Sequence, residues 1–150
     1  MSPLHEPTGL EISQQYRLIA TLDNLKLVCQ VIQECGIGGE LWQQKQPKVQ
    51  KELQLLEKYV DLYIQEFSPH LEKRIEFWEG CELGKSHNRV IPRSQPESNF
   101  LEIIQGKGDY SNPRHLGILL GYRFAYLKRF LSRFELPEDC DIDLAAATFG

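Results

Sequence analysis

The stretch EGCELGKSHNRVIPR, residues 79–93, contains Gly84-Lys85-Ser86, which could be the end of a nucleotide-binding phosphate loop. Such a loop needs a glycine five residues before the one that precedes the lysine, because that length lets successive backbone N–H groups surround a phosphate. That position is Glu79, and Gly80 comes one residue too late. The loop must also follow a buried strand and open a helix. Ile75-Glu76-Phe77-Trp78 reads as helix instead, and Pro92 would interrupt a helix opening at Lys85, so a polar connection is expected here.

Metal chemistry could draw on Cys81 and His87, with His70 or His115 brought in by folding, since thiolate and imidazole suit zinc. Structural zinc sites carry two close ligand pairs, and this chain has none, so the reading is a surface thiol and a solvated histidine. HExxH and GxSxG signatures are absent too. No cofactor, metal or catalytic group is expected, and the chain reads as non-enzymatic.

The last helix is more informative. At about 100° per residue, Leu116, Leu120, Leu127, Leu131 and Phe134 share a core face. On another side His115, Tyr122, Tyr126, Arg129 and Arg133 fall on one line, with Arg114 and Lys128 near its edge. A single-stranded nucleic acid can use such a row, arginine meeting phosphate and tyrosine offering a stacking surface. An acidic protein surface can use it as well. The alternative is packing, with both tyrosines against a neighbouring helix and the arginine stems laid over it.

Arg123 projects onto the core face between Leu116, Leu119, Leu127 and Phe130. A guanidinium there needs a carboxylate or several carbonyls, because an unpaired buried charge is very unfavourable. An internal ion pair is expected; a subunit interface or an anionic ligand between helices would serve the same need. Gly106-Lys107-Gly108 and Asn112-Pro113-Arg114-His115 place a capping asparagine and basic side chains at a helix start, where free N–H groups attract anions.

These residues must be positioned by helices. Leu18, Leu22, Leu25, Cys29 and Ile32 are spaced four, three, four, three, which is one face of a helix from about Glu11 to Glu34, closed by Gly36 and turned by Gly38-Gly39. Pro47 suits the first turn of the next helix, whose Val49, Leu53, Leu56, Val60, Tyr63 and Phe67 repeat without a fault. A second row, Leu55, Tyr59 and Leu62, makes that helix apolar over more than a two-helix seam can cover. Ser68-Pro69 restarts the chain into a helix with Leu71, Ile75 and Trp78 on its apolar side, ending near Gly80. A short buried helix comes next around Phe100, Leu101, Ile103 and Ile104, then the last helix from Asn112-Pro113 to about Phe134.

The expected fold is therefore all-α, one domain over residues 1–150. It is an irregular bundle of four to five helices built on a long antiparallel hairpin, with Trp42 and Trp78 covering its ends. Residues 1–10 read as a flexible start, 81–96 as an irregular loop and 135–150 as an acidic tail. At 150 residues such a domain buries about 70% of the surface of its unfolded chain, enough for a self-sufficient core.

The net charge of −4 is uneven: nine basic residues from Lys85 to Arg133 face only Glu97, Glu102 and Asp109. Glu135, Glu138, Asp139, Asp141 and Asp143 then come unbalanced, placed to fold back over the basic row and compete with an anion; truncation after Pro137 would then strengthen anion binding. No apolar run reaches membrane-spanning length, and MSPLHEPTGLE lacks the pattern of a signal peptide, so a cytoplasmic protein without a membrane partner is expected. The four cysteines read as reduced thiols, Cys29 and Cys35 in or near a core.

Two functions lead among those compatible with these features, with an enzyme or small-ligand carrier having its site between helices near Arg123 as a third class. The first is an adaptor, assembly factor or regulator that binds itself and a protein partner through Leu55, Tyr59 and Leu62. The second is a nucleic-acid-binding regulator using His115, Tyr122, Arg123, Tyr126, Arg129 and Arg133, assisted by Lys85, Arg89 and Arg93.

Overall fold

The structure is a computed structural model that describes residues 9–87 and 100–137, with side chains from residue 15 to 86 and from 100 onward. In chain order the helices are α1 (Gly9–Glu34), α2 (Gly39–Leu62), α3 (Leu71–His87), α4 (Phe100–Ile104) and α5 (Pro113–Leu131), and a π-helical turn, Tyr63–Phe67, extends α2. Among the described residues there is no strand, and the fold is the all-α bundle that the periodicities imply.

The hairpin is closed as its glycines require. Gly36 takes φ 62, Ile37 N–H donates to Ile32 O at 3.0 Å, and Gly36 N–H donates to Gln33 O at 3.4 Å. These two bonds satisfy carbonyls that the end of α1 would otherwise leave open. The same pair of bonds ends α4, where Gly106 has φ 88 and Lys107 N–H donates to Glu102 O at 2.9 Å.

Between the two long helices, Leu18, Leu22, Leu25, Cys29 and Ile32 of α1 are buried with Val49, Leu53, Leu56 and Val60 of α2 and with Tyr63 and Phe67 beyond it. α2 begins at Gly39, well before the start that Pro47 suggested, and Pro47 lies inside it. Pro47 and Gln43 are both exposed, so water can reach the carbonyl that the missing proline N–H leaves unbonded. The early start seats Trp42 in the core, where its Nε1–H donates to Gln33 Oε1 at 2.6 Å and its ring meets Phe134 edge-on at 5.6 Å.

After Phe67 the chain bends at Ser68, whose hydroxyl donates to Ile64 O at 2.7 Å while its carbonyl accepts from buried Arg74 Nη1 at 2.7 Å. Trp78 donates to the Tyr63 hydroxyl at 3.0 Å, and Tyr63 stacks on Phe77 at 3.9 Å.

The tightest packing in the molecule is between α3 and α5. Gly80 and Gly84 on α3 meet Gly117 and Gly121 on α5, and all four are buried. A Cβ on Gly80 would collide with the Arg114 carbonyl, on Gly84 with that of Ile118, on Gly117 with that of Phe77 and on Gly121 with that of Cys81. The helices thus touch backbone to backbone, as small residues four apart permit.

Each helical glycine is disfavoured by about 1 kcal/mol relative to alanine, so the contact must offset about 4 kcal/mol. Dispersion between the backbones and weak Cα–H···O contacts of about 0.5–1 kcal/mol each are the available sources.

This seam corrects two expectations. α3 does not end near Gly80 but runs to His87, so 81–87 is helix and only the remainder of the expected loop falls outside the described residues. Gly80 and Gly84 are absent from the positive-φ positions, so they serve the contact through their missing side chains. The buried side of α3 carries Arg74, Phe77, Cys81 and Gly84, while Leu71 and Ile75 are exposed.

A second cluster, Phe100, Ile103 and Ile104 of α4 with Ile118 and Leu119 of α5, covers the far side of α5. Asn112 caps α5, its Oδ1 accepting from Arg114 N–H at 3.0 Å, with Pro113 in the first turn.

The thiols divide accordingly. Cys35 is exposed, not in the core, and Cys81 is wholly buried in the glycine seam, not at the surface. Burial pushes the Cys29 thiol from 9.0 up to about 12 and also raises Cys81 well above the usual thiol range. Iodoacetamide at pH 8 is therefore expected to alkylate Cys35 in the native protein and to spare Cys29 and Cys81 until denaturant is added, as peptide mapping would read. Because the folded Cys29 keeps its proton longer than the unfolded one, its contribution to stability is intact below pH 9.0 and is lost as the pH rises toward about 12.

Candidate functional site

On α2, Lys45, Lys48 and Glu52 are spaced three, four beside the buried seam residue Val49. On α5, Tyr122, Tyr126, Arg129 and Arg133 run beside buried Leu127, Arg133 lying just past the helix end. The fold sets these rows along the two walls of one groove of about 520 Å³, with Val49, Leu127 and Phe130 also lining it. Five cationic side chains line it: Lys45, Lys48, Arg123, Arg129 and Arg133. Among the described residues that line it, Glu52 is the only carboxylate.

Glu52 is committed to Arg123, whose Nη1 donates to Oε2 at 2.9 Å and to Oε1 at 3.1 Å. Both side chains are about one-fifth exposed, so the pair is shielded from water and joins α2 to α5 across the groove floor. The internal ion pair expected for Arg123 is thus present. Its energy should fall between that of exposed pairs, under about 1 kcal/mol, and that of fully buried ones, where removing one partner costs about 3–5 kcal/mol. A double-mutant cycle with Arg123→Met and Glu52→Gln is expected to give a coupling of about 1–2 kcal/mol in urea unfolding.

The aromatic members of the row are set for contact from outside. Tyr122 and Tyr126 hold their rings 14° from parallel with centroids 6.4 Å apart, and Tyr126 is 56% exposed. The Arg133 guanidinium lies over the Phe130 ring at 5.7 Å, and the residue remains exposed at the surface.

A second recess of about 600 Å³ continues from the first. It shares Glu52, Tyr122, Arg123 and Tyr126 and is completed by Leu101, Ile104 and Gln105.

Other residues of the expected site go elsewhere. His115 is half-buried near the start of α5 and lines neither recess. Arg114 pairs with Glu79 of α3 at 2.9 Å, and Lys85 sits on α3 against Glu82 at 3.3 Å, on a helix where a loop was expected. Arg89 and Arg93 lie outside the described residues, as do Glu138, Asp139, Asp141 and Asp143 of the expected tail.

In the apolar row of α2, Tyr59 tilts against Tyr110 at 5.1 Å and packs on both core clusters, Leu62 packs on the larger one, and Leu55 is half-buried. The Tyr110 hydroxyl donates to Ile103 O at 2.6 Å, fixing the turn before α5 to α4. Burial raises the Tyr110 pKa. The exposed Asp109 next to it is held low by the Ser111 hydroxyl and N–H.

Lys45 and Lys48 were missed by reasoning along the sequence. They share a face of α2, but nothing in their spacing says that α5 lies opposite.

No three His, Cys, Asp or Glu side chains gather into a metal-binding group among the described residues, and no described helix is long and apolar enough to cross a membrane. No protein-family model matches this chain, and neither a curated protein nor a solved structure matches it.

Proposed function

We propose that the protein is a non-enzymatic binding protein that holds a single-stranded nucleic acid in the groove between α2 and α5. The observation that carries this reading is the convergence of Lys45 and Lys48, from a separate helix, on the row of Tyr122, Tyr126, Arg129 and Arg133. Tracking a phosphate backbone needs cations on both sides of a channel, and a stacking surface that tolerates any sequence needs exposed aromatic rings. Because the sole carboxylate among the described residues lining the groove is already paired, the charge of that lining is positive even though the chain as a whole is acidic.

The test is fluorescence anisotropy of a labelled oligothymidylate titrated with the full chain from low to high salt. Binding that weakens steeply with salt supports the reading, because cation-to-phosphate contacts release counterions. No binding at low salt removes it.

Association with itself or with a protein partner is supported by a different surface from the one the sequence suggested. Tyr59 and Leu62 are engaged within the chain, whereas Tyr16, Ile19 and Leu27 are exposed on one side of α1. A molar mass from light scattering equal to the monomer's would weigh against self-association.

A further inference from the structure

We infer that the recess beside Leu101 is a seat for an unpaired nucleobase, so that the groove reads a base at one end and phosphates at the other. This rests on the proposed single-strand binding and assigns its parts.

The two halves of the groove differ in charge. Among the described residues lining the half toward α4 the only cation is Arg123, and Glu52 holds it by both carboxylate oxygens. That half is near neutral and suits an uncharged planar group better than a phosphate. The other half adds Lys45, Lys48, Arg129 and Arg133, and suits the backbone of the same strand.

The surfaces in the neutral half match a base. Leu101 and Tyr126 are 52% and 56% exposed, so apolar surface on both is open to a ligand in this recess. Tyr122 stands beside Tyr126 with its ring nearly parallel. A flat base laid across them covers apolar surface that water now meets, and every base has such a face. Gln105, exposed at the end of α4, carries an amide that can both donate to and accept from a base edge. The shared residues Tyr122, Arg123 and Tyr126 form the junction, so a strand can pass from one half to the other without leaving the groove. A duplex cannot offer this arrangement, because its bases are stacked on one another.

The experiment compares three ligands on the full chain at one low salt concentration: an oligothymidylate, an abasic oligonucleotide of the same length, and inorganic polyphosphate. The abasic strand is expected to bind about tenfold or more weakly than the base-bearing one, the scale of losing one stacked base. Leu101→Ala/Gln105→Ala, at two positions that line only the neutral half, is expected to narrow that difference and leave polyphosphate binding within about twofold, and both side chains are exposed enough for the variant to melt like the parent. Equal binding of the abasic and base-bearing strands would overturn the base seat while leaving the cationic groove in place. A variant that weakens all three ligands alike would also overturn it. Failure of all three to bind the parent protein would overturn the groove itself and the base seat with it.

Discussion

Gly117→Val is expected to lower the thermal unfolding midpoint by about 10 °C, from a loss of about 3 kcal/mol or more at the upper end of overpacking effects. The obstacle is the Phe77 carbonyl, with the Cys81 N–H close behind it, and backbone cannot move aside by changing rotamer as a side chain can. α3 and α5 would have to separate along their whole contact, opening space beside Phe77, Cys81, Leu116 and Leu120, which are buried against them.

Gly36→Ala supplies the contrast. Its Cβ meets nothing within 4 Å, so only the left-handed φ of 62 resists it, at about 1–2 kcal/mol. Circular dichroism melts of the two variants separate the two roles of glycine. A shift for Gly117→Val no larger than that for Gly36→Ala would mean the helices are not in backbone contact.

The second large effect concerns the proposed binding. If Lys45, Lys48, Arg129 and Arg133 each meet a phosphate, the logarithm of the association constant should fall against the logarithm of salt with a slope of about −3, from about −0.7 per contact on single strands. Arg129→Glu/Arg133→Glu should halve that slope and weaken binding more than tenfold at low salt, since two attractions become repulsions. Both positions are exposed, so the melting midpoint should hardly move. An unchanged slope with unchanged affinity would place the anion elsewhere on the chain.

Much of the fold could be read directly from spacing. The seam residues of α1 and α2 and the face of α5 through Leu116, Leu120, Leu127, Leu131 and Phe134 are all buried, because large apolar side chains at helical intervals leave a signal that survives without knowing the partner. The α3–α5 contact left none of that kind. Its interface is made of hydrogen atoms on glycines, and a reading that tracks apolar side chains assigns Leu71 and Ile75 inward, while GCELG passes as a helix end and loop and GILLG as ordinary helix. The four-residue spacing of glycines in both stretches is the clue that could have been used.

The candidate site was half legible. Tyr122, Tyr126, Arg129 and Arg133 could be aligned on one helix by counting, and Arg123 could be assigned an acidic partner because a charge on a core face demands one. Which carboxylate, and which second wall, depended on the antiparallel return of α2 beneath α5. That is set by contacts some 70 residues apart, the Arg123 to Glu52 separation being 71. His115 failed for a related reason: an azimuth fixes a direction but not how far along the helix the opposing wall extends.

The glycine seam also fixes what can move. Two helices that meet through backbone have no interdigitating side chains to re-pack, so they form in effect a single stiff beam. α5 cannot roll on such a bed without lifting off it, and the compass bearing of its tyrosines and arginines is fixed before any ligand arrives. If the groove takes ligands of different shape, accommodation must then come from the opposite bank: from the long, flexible stems of Lys45 and Lys48 and from the short α4, which is held to the beam chiefly by side chains.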